Sequence, residues 1–195
     1  MGLGKKPEDQ TGETRKISGS FRREFIVFLI LFFGLWLLSY LVTRRFPSIV
    51  ISMQLLVSRE LAWCLDLLGY SYRLAESTFT FFTSHGGERL VVIAECTGIY
   101  TTIIYCSIII AYPARIGEKL IGLLIGVPSI HLLNLARMVF ISLVLFHRRD
   151  LFELFHGYLW QVGFVIFMLL LVVFWMSRIV KPRGAGRSKE GDAVE

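Results

Sequence analysis

FIVFLILFFGLWLLSYLV, residues 25–42, runs for 18 residues without a charge. About 20 apolar residues cross the hydrocarbon core of a bilayer, so this stretch reads as a transmembrane helix. Arg22 and Arg23 precede it, and Arg44, Arg45 and Pro47 end it. The basic region before it is long and polar, and no small-x-small cleavage signal follows it. The stretch therefore reads as a retained span and not as a secretory leader.

The rest of the chain agrees with a membrane protein. Its 195 residues are 54% hydrophobic and 14% aromatic, with a mean hydropathy of +0.61. A soluble domain of this length is rarely so apolar. The net charge is +6, but the basic residues gather in the two tails. That pattern is a topology signal facing anionic lipid, and no nucleic-acid partner is expected. The three cysteines have no regular spacing, which argues against a disulfide scaffold and against zinc. No metal or organic cofactor is expected.

Further apolar runs follow at residues 97–112, 120–146 and 158–180, giving four spans in all. Pro128, Gly122 and Gly126 predict a kink or broken turn near the start of the third. Residues 49–69 are mostly apolar but carry Arg59, Glu60 and Asp66. Each charge near a bilayer centre costs about 2.5–3.5 kcal/mol on insertion scales. Ser52, Arg59 and Asp66 recur every seven residues on one helical face, so this segment reads as an interfacial amphipathic helix. Thr78-Phe-Thr-Phe-Phe-Thr and Leu90-Val-Val-Ile read as strands, with Gly86-Gly87 as the tight turn between them. An open sheet edge cannot face lipid, so this β-hairpin belongs outside the hydrocarbon. Residues 1–20 and 181–195 are polar, charged tails expected to be disordered and cytoplasmic, flanking one integral-membrane domain at 21–180.

Lysine and arginine counts orient the four spans. The N-terminal tail carries six, the C-terminal tail five, and the 113–119 connection adds Arg115 and Lys119. The opposite side carries Arg44, Arg45, Arg59, Arg73, Arg89, Arg148 and Arg149. Both tails are thus placed in the cytoplasm, and the interfacial helix and hairpin on the outer side.

Three side chains then stand out. Cys96 opens the second span from the outer side, His156 opens the fourth from the same side, and Arg137 lies in the outer half of the third. Arg137 is nine residues below that helix's exit, ~14 Å deep at 1.5 Å per residue, from where it is expected to snorkel upward. A thiol, a guanidinium and an imidazole supply the nucleophile, oxyanion partner and proton carrier of thiol-dependent acyl transfer. A lone Cys beside a membrane helix is usually a packing residue, the reading given to Cys64 and Cys106. Cys96 differs by sitting where strand meets helix, where the helix dipole is expected to lower its pKa. Thr97-Gly98 keeps the backbone there accessible. An intramembrane Arg is expensive, and its bland reading is a structural bond to a carboxylate or to helix-end carbonyls. His131, Asn134 and Arg137 form a polar stripe that must face protein or a water-lined cavity. His156 is preferred over His85, His131 and His147 by position, with Glu153 and Trp160 at helical spacing and Glu153 placed to orient its ring.

Glu95-Cys96-Thr97-Gly98-Ile99, Asn134-Leu-Ala-Arg137 and Phe155-His156-Gly157, in this order and each tied to a span, resemble the exosortase/archaeosortase family of membrane transpeptidases. The resemblance covers roughly residues 70–175 and is nearest to the compact bacterial members of the H type. Thr97 stands where many members carry Ser. The resemblance implies a Cys–Arg–His site at Cys96, Arg137 and His156. It also implies substrates bearing a C-terminal sorting signal: a short motif, a transmembrane helix and a basic cluster. Two other functions fit the residues: a membrane-anchored endopeptidase with water as acceptor, and a non-enzymatic transporter or assembly subunit holding an anion on Arg137.

Overall fold

The computed structural model describes residues 10–83, 86–148, 152 and 160–180. Five α-helices are found there: α1 (Gln10–Arg45), α2 (Pro47–Leu67), α3 (Ile99–Ala111), α4 (Ile116–His147) and α5 (Trp160–Arg178). Strands β1 (Tyr72–Ala75), β2 (Thr78–Thr83) and β3 (Gly86–Val91) lie between α2 and α3, and a short 3-10 turn, Ala94–Thr97, precedes α3.

Four of the helices alternate in direction. Arg23, Val27 and Leu31 of α1 lie beside Ile110 and Tyr112 at the end of α3. Leu35 and Ser39 lie beside Ile99 and Thr102 at its start, so α1 and α3 are antiparallel. Trp160 of α5 packs edge-on against Phe140 of α4 at 5.7 Å. At the other end, Trp175 Nε1 donates to the Glu118 carbonyl at 2.7 Å. One end of the bundle thus gathers the end of α1, the start of α3, the end of α4 and the start of α5. The sheet sits at this end.

The seams between α3, α4 and α5 need small residues. A methyl at Gly126 would overlap the Tyr105 ring, and one at Gly122 would overlap the Trp175 indole. Tyr105 Oη donates to the Gly122 carbonyl at 2.9 Å. These glycines admit aromatic rings close to backbone, as membrane helix pairs commonly require. No broken turn is found near Pro128, since α4 is helical throughout with Pro128 inside it. Proline removes one backbone donor, and the neighbouring helical bonds suffice to hold the helix.

The hairpin expectation is also corrected. The sheet has three antiparallel strands in the order β1-β2-β3. Gly86 and Gly87 pair with Thr83 and Phe82 inside β3 and do not form the turn. The connection, residues 84–85, lies outside the described residues, as does His85. Strand alternation turns Phe79 and Phe81 inward, where both are fully buried with Leu90 and Val92. Each such side chain contributes ~1.5–3 kcal/mol on burial. The missed strand, β1, is short, and its Tyr72 hydroxyl donates to Asp66 Oδ1 at 2.8 Å. Burial and the Asp66 carboxylate push that hydroxyl up to about 12, so it stays a donor.

Length and packing give opposite answers for α2. With 21 residues and enough apolar character it is as able to cross a membrane as residues 22–45 and 116–147, whereas Ile99–Ala111 and Val162–Arg178 are shorter. Yet most of its packing lies at the sheet end. Gln54 Nε2 donates to the Val92 carbonyl at 3.2 Å. Val57, Leu61 and Leu65 join one buried cluster with Phe79, Phe81, Cys96, Met138, Ile141 and Leu145. Ser52, Arg59 and Asp66 are exposed on the opposite face, as their spacing predicts. Glu60, counted from sequence as a cost, has a partner: its Oε2 lies 2.8 Å from His131 Nε2 on α4.

At the chain ends, α1 begins at Gln10, inside the segment expected to be disordered. A long apolar helix is already nucleated there, and extending it costs little per residue. Residues 181–195 lie outside the described residues.

Candidate active site

The chain leaves β3, makes the 3-10 turn and enters α3 through Gly98, whose φ is 72° and ψ 5°. This left-handed conformation favours glycine. Thr97 Oγ1 donates to the Ala94 carbonyl at 2.7 Å and accepts from the Ile99 N–H at 3.3 Å. Both bonds fix the elbow that carries Cys96. The elbow is also clamped from the side, because Asn134 Nδ2 on α4 donates to the Cys96 carbonyl at 2.8 Å. A methyl on Gly98 would sit 3.3 Å from Asn134 Cγ. Gly98 therefore answers two demands, a positive φ and a close approach. Gly98→Ala is expected to lower stability by about 1–2 kcal/mol, the usual cost of a left-handed L-residue. Because the same methyl presses on Asn134, activity should fall further than the change in thermal unfolding midpoint accounts for. Measuring both on detergent-purified protein checks this.

Cys96 is 2% exposed. Burial pushes its thiol pKa up. A backbone hydrogen bond with Ile93 and the Arg137 guanidinium pull it back down, and the Glu95 carboxylate adds a smaller upward push. The net direction is upward, which corrects the expectation of an acidified thiol. Desolvation of the buried thiolate is the largest of these influences.

Arg137 and Cys96 are close enough for each charge to act on the other. They meet differently from what hydropathy implied. Asn134, bonded to the Cys96 carbonyl, lies thirteen residues before the end of α4 at His147, so the cysteine sits ~20 Å along the helix from that end. The elbow thus stands beside the arginine's stretch of α4 and not at the helix end. The last turns of α4, with Met138, Ile141 and Leu145, are wrapped by α2 and the sheet.

No carboxylate or carbonyl bonds Arg137 among the described residues. Its guanidinium carbon lies 6.0 Å from the centre of the Phe164 ring. Its Nε is buried without a hydrogen-bond partner among the described residues, as are Asn134 Oδ1 and Trp160 Nε1. Leaving such groups unpaired costs ~1–3 kcal/mol each. All three residues line one cavity of about 630 Å³ between α3 and α5, together with Glu95, Gly98 and Tyr100. Cys96 does not itself line the cavity, but it stands on the elbow between the lining residues Glu95 and Gly98.

Of the residues singled out from sequence, the fold thus gathers Glu95, Cys96, Thr97, Gly98, Asn134 and Arg137. His156 and Glu153 lie outside the described residues. His131, the first member of the polar stripe, turns to Glu60 instead. Phe164 was missed, and Trp160 was noticed only as a neighbour of His156. The signal was available: Trp160, Phe164 and Met168 recur every four residues on α5 and all line the cavity.

Comparison with known proteins places these residues in context. The family model for transmembrane exosortases matches residues 18–176. Archaeosortase A of Haloferax volcanii is 34% identical over 93 residues, which is 45% of this chain and 31% of that relative's length. No solved structure matches.

Proposed function

Because the chain belongs to the transmembrane exosortase family, we propose that this integral membrane protein is a cysteine transpeptidase acting on the C-terminal sorting signals of exported proteins. The observation that carries the reading is the juxtaposition at the cavity wall. A cysteine on a clamped elbow lies near an arginine with no hydrogen-bond partner among the described residues, beside further unpaired polar atoms. Two free donors, Arg137 Nε and Trp160 Nε1, and one free acceptor, Asn134 Oδ1, match what a peptide bond presents in reverse.

In this reading the Cys96 thiolate attacks the scissile carbonyl carbon. The negative charge that develops on the carbonyl oxygen is met by the Arg137 guanidinium, a planar donor that is always charged. The C–N bond breaks, His156 gives a proton to the leaving amine, and a thioester to Cys96 remains. His156 then takes a proton from an acceptor nucleophile, which attacks the thioester and restores the thiol. The Cys96 proton passes to His156 as the sulfur attacks, and this is the proton that His156 gives to the leaving amine. Burial disfavours a resting thiolate.

The same reading assigns α1, α3, α4 and α5 as the four spans, with both termini cytoplasmic. The helix α2 lies along the outer interface, and the sheet lies in the periplasm of a cell with an inner membrane. Ile116 to Asn134 is ~27 Å of helix, close to the ~30 Å of a hydrocarbon core. The membrane surface then falls near the Cys96 elbow, and the overshoot of α4 belongs to the outer layer.

Mass spectrometry of the processed substrate tests the reaction class. The expected product carries an added group on its new C-terminus. A free carboxylate formed at the same rate with every acceptor supplied would make the enzyme a peptidase with water as acceptor.

A further inference from the structure

The seam between α1 and α3 is not filled by side chains. At the end of the bundle away from the sheet it opens into a cavity of about 460 Å³. Arg23, Glu24, Val27, Phe28 and Leu31 form one wall. Spaced at one, four, five and eight residues from Arg23, they share a face of α1. The turn after α3 and Lys119 of α4 form the other wall. Lys119 Nζ donates to the Ile110 carbonyl at 2.6 Å, which fixes the ammonium at the rim and leaves further N–H groups free. Arg23 has no ion-pair partner among the described residues. Below the charged rim the walls are apolar. A second cavity of about 160 Å³, which shares Ile110, continues the seam toward Leu35 and Ser39.

We propose that this cleft binds an anionic phospholipid from the leaflet opposite the active site. Its phosphodiester would sit between the Arg23 guanidinium and the Lys119 ammonium, and an acyl chain would run against Val27, Phe28 and Leu31. Charge complementarity selects the ligand. Two cations and the Glu24 carboxylate leave one net positive charge at the rim, which suits a monoanionic phosphodiester better than a free phosphate dianion. Glu24 can accept a hydrogen bond from a headgroup hydroxyl, as phosphatidylglycerol would offer. The dimensions agree as well. Arg23 to Leu31 spans ~12 Å of helix, within the ~15 Å of one leaflet. Basic pockets between helices on the cytoplasmic side of membrane proteins are suited to such headgroups. The lipid would act as packing between α1 and the remaining helices.

Native mass spectrometry of the full chain, delipidated and titrated with phosphatidylglycerol or phosphatidylcholine, tests the site. Phosphatidylglycerol should be retained about tenfold more tightly, the order expected from two basic residues near one phosphate. The double variant R23Q/K119Q should lose that preference, and R23K/K119R should keep it. Both lie at the far end from Cys96, so wild-type cleavage activity would show that each variant is folded. Equal retention of the two lipids, or a preference that survives R23Q/K119Q, would overturn the proposal. So would displacement of the lipid by millimolar inorganic phosphate, which would mark a plain phosphate site.

Discussion

Replacing Cys96 with alanine is expected to leave a co-expressed substrate uncleaved, a loss of at least ~10⁴-fold in processing rate. In the proposed mechanism the sulfur is the atom that becomes acylated, and alanine leaves nothing in its place. Cys64→Ala and Cys106→Ala should process normally, because of the three cysteines only Cys96 interacts with Arg137. Immunoblotting for the full-length and shortened substrate reads the result directly. The variant should still fold, since the Cys96 carbonyl, not its sulfur, takes the Asn134 hydrogen bond. Cleavage that persists in Cys96→Ala would sink the transpeptidase reading. Loss of function confined to Arg137→Ala, with Cys96→Ala and His156→Ala intact, would instead favour an anion-holding subunit.

Arg137→Lys is expected to lower the rate by about 10²–10³-fold, the usual cost of removing one oxyanion donor. Lysine keeps the charge but loses the planar fork, and its compact ammonium is more strongly hydrated. Arg137→Gln removes the charge as well, and here a second readout separates electrostatics from packing. The guanidinium pulls the Cys96 thiol pKa down against burial. Its removal must therefore move the pKa further up, and at any fixed pH less thiolate is present. The pH–rate profile for alkylation of Cys96 should shift to higher pH in Arg137→Gln and less in Arg137→Lys. An unshifted profile together with retained activity would show that the arginine is structural.

Much of this site was legible in the chain because its residues are costly where they stand. Arg137 and Asn134 in an apolar helix announce a cavity, since a bilayer does not tolerate them otherwise. The strand-to-helix junction at Cys96 followed from β-rich residues ending at an apolar run. Depth was not legible. Hydropathy measures where a helix stays apolar, and α4 stays apolar past the point where α2 and the sheet wrap it. A soluble-type core around Met138, Ile141 and Leu145 has the same composition as a lipid-facing surface. The same ambiguity made α2 look hard to place, because Glu60 was scored as an isolated charge when His131 stands 2.8 Å away. The thiol pKa was misjudged because a helix start can be read from sequence, whereas burial cannot.

The hydrogen bond from Asn134 to the Cys96 carbonyl makes α4 a ruler. It holds Cys96 at a set height on a rigid helix, so in the proposed mechanism the nucleophile cannot search up or down for a bond to cut. A substrate anchored by its own membrane helix would then have to present its scissile bond at that one level. Moving the cleavage motif by a helical turn relative to the substrate's anchor displaces the bond by ~5.4 Å. That is far more than a near-attack geometry tolerates. Selection among exported proteins would then depend on the spacing between motif and anchor as much as on the motif itself. A bilayer that is thicker or thinner than the substrate's helix would alter selection without touching a residue of the enzyme.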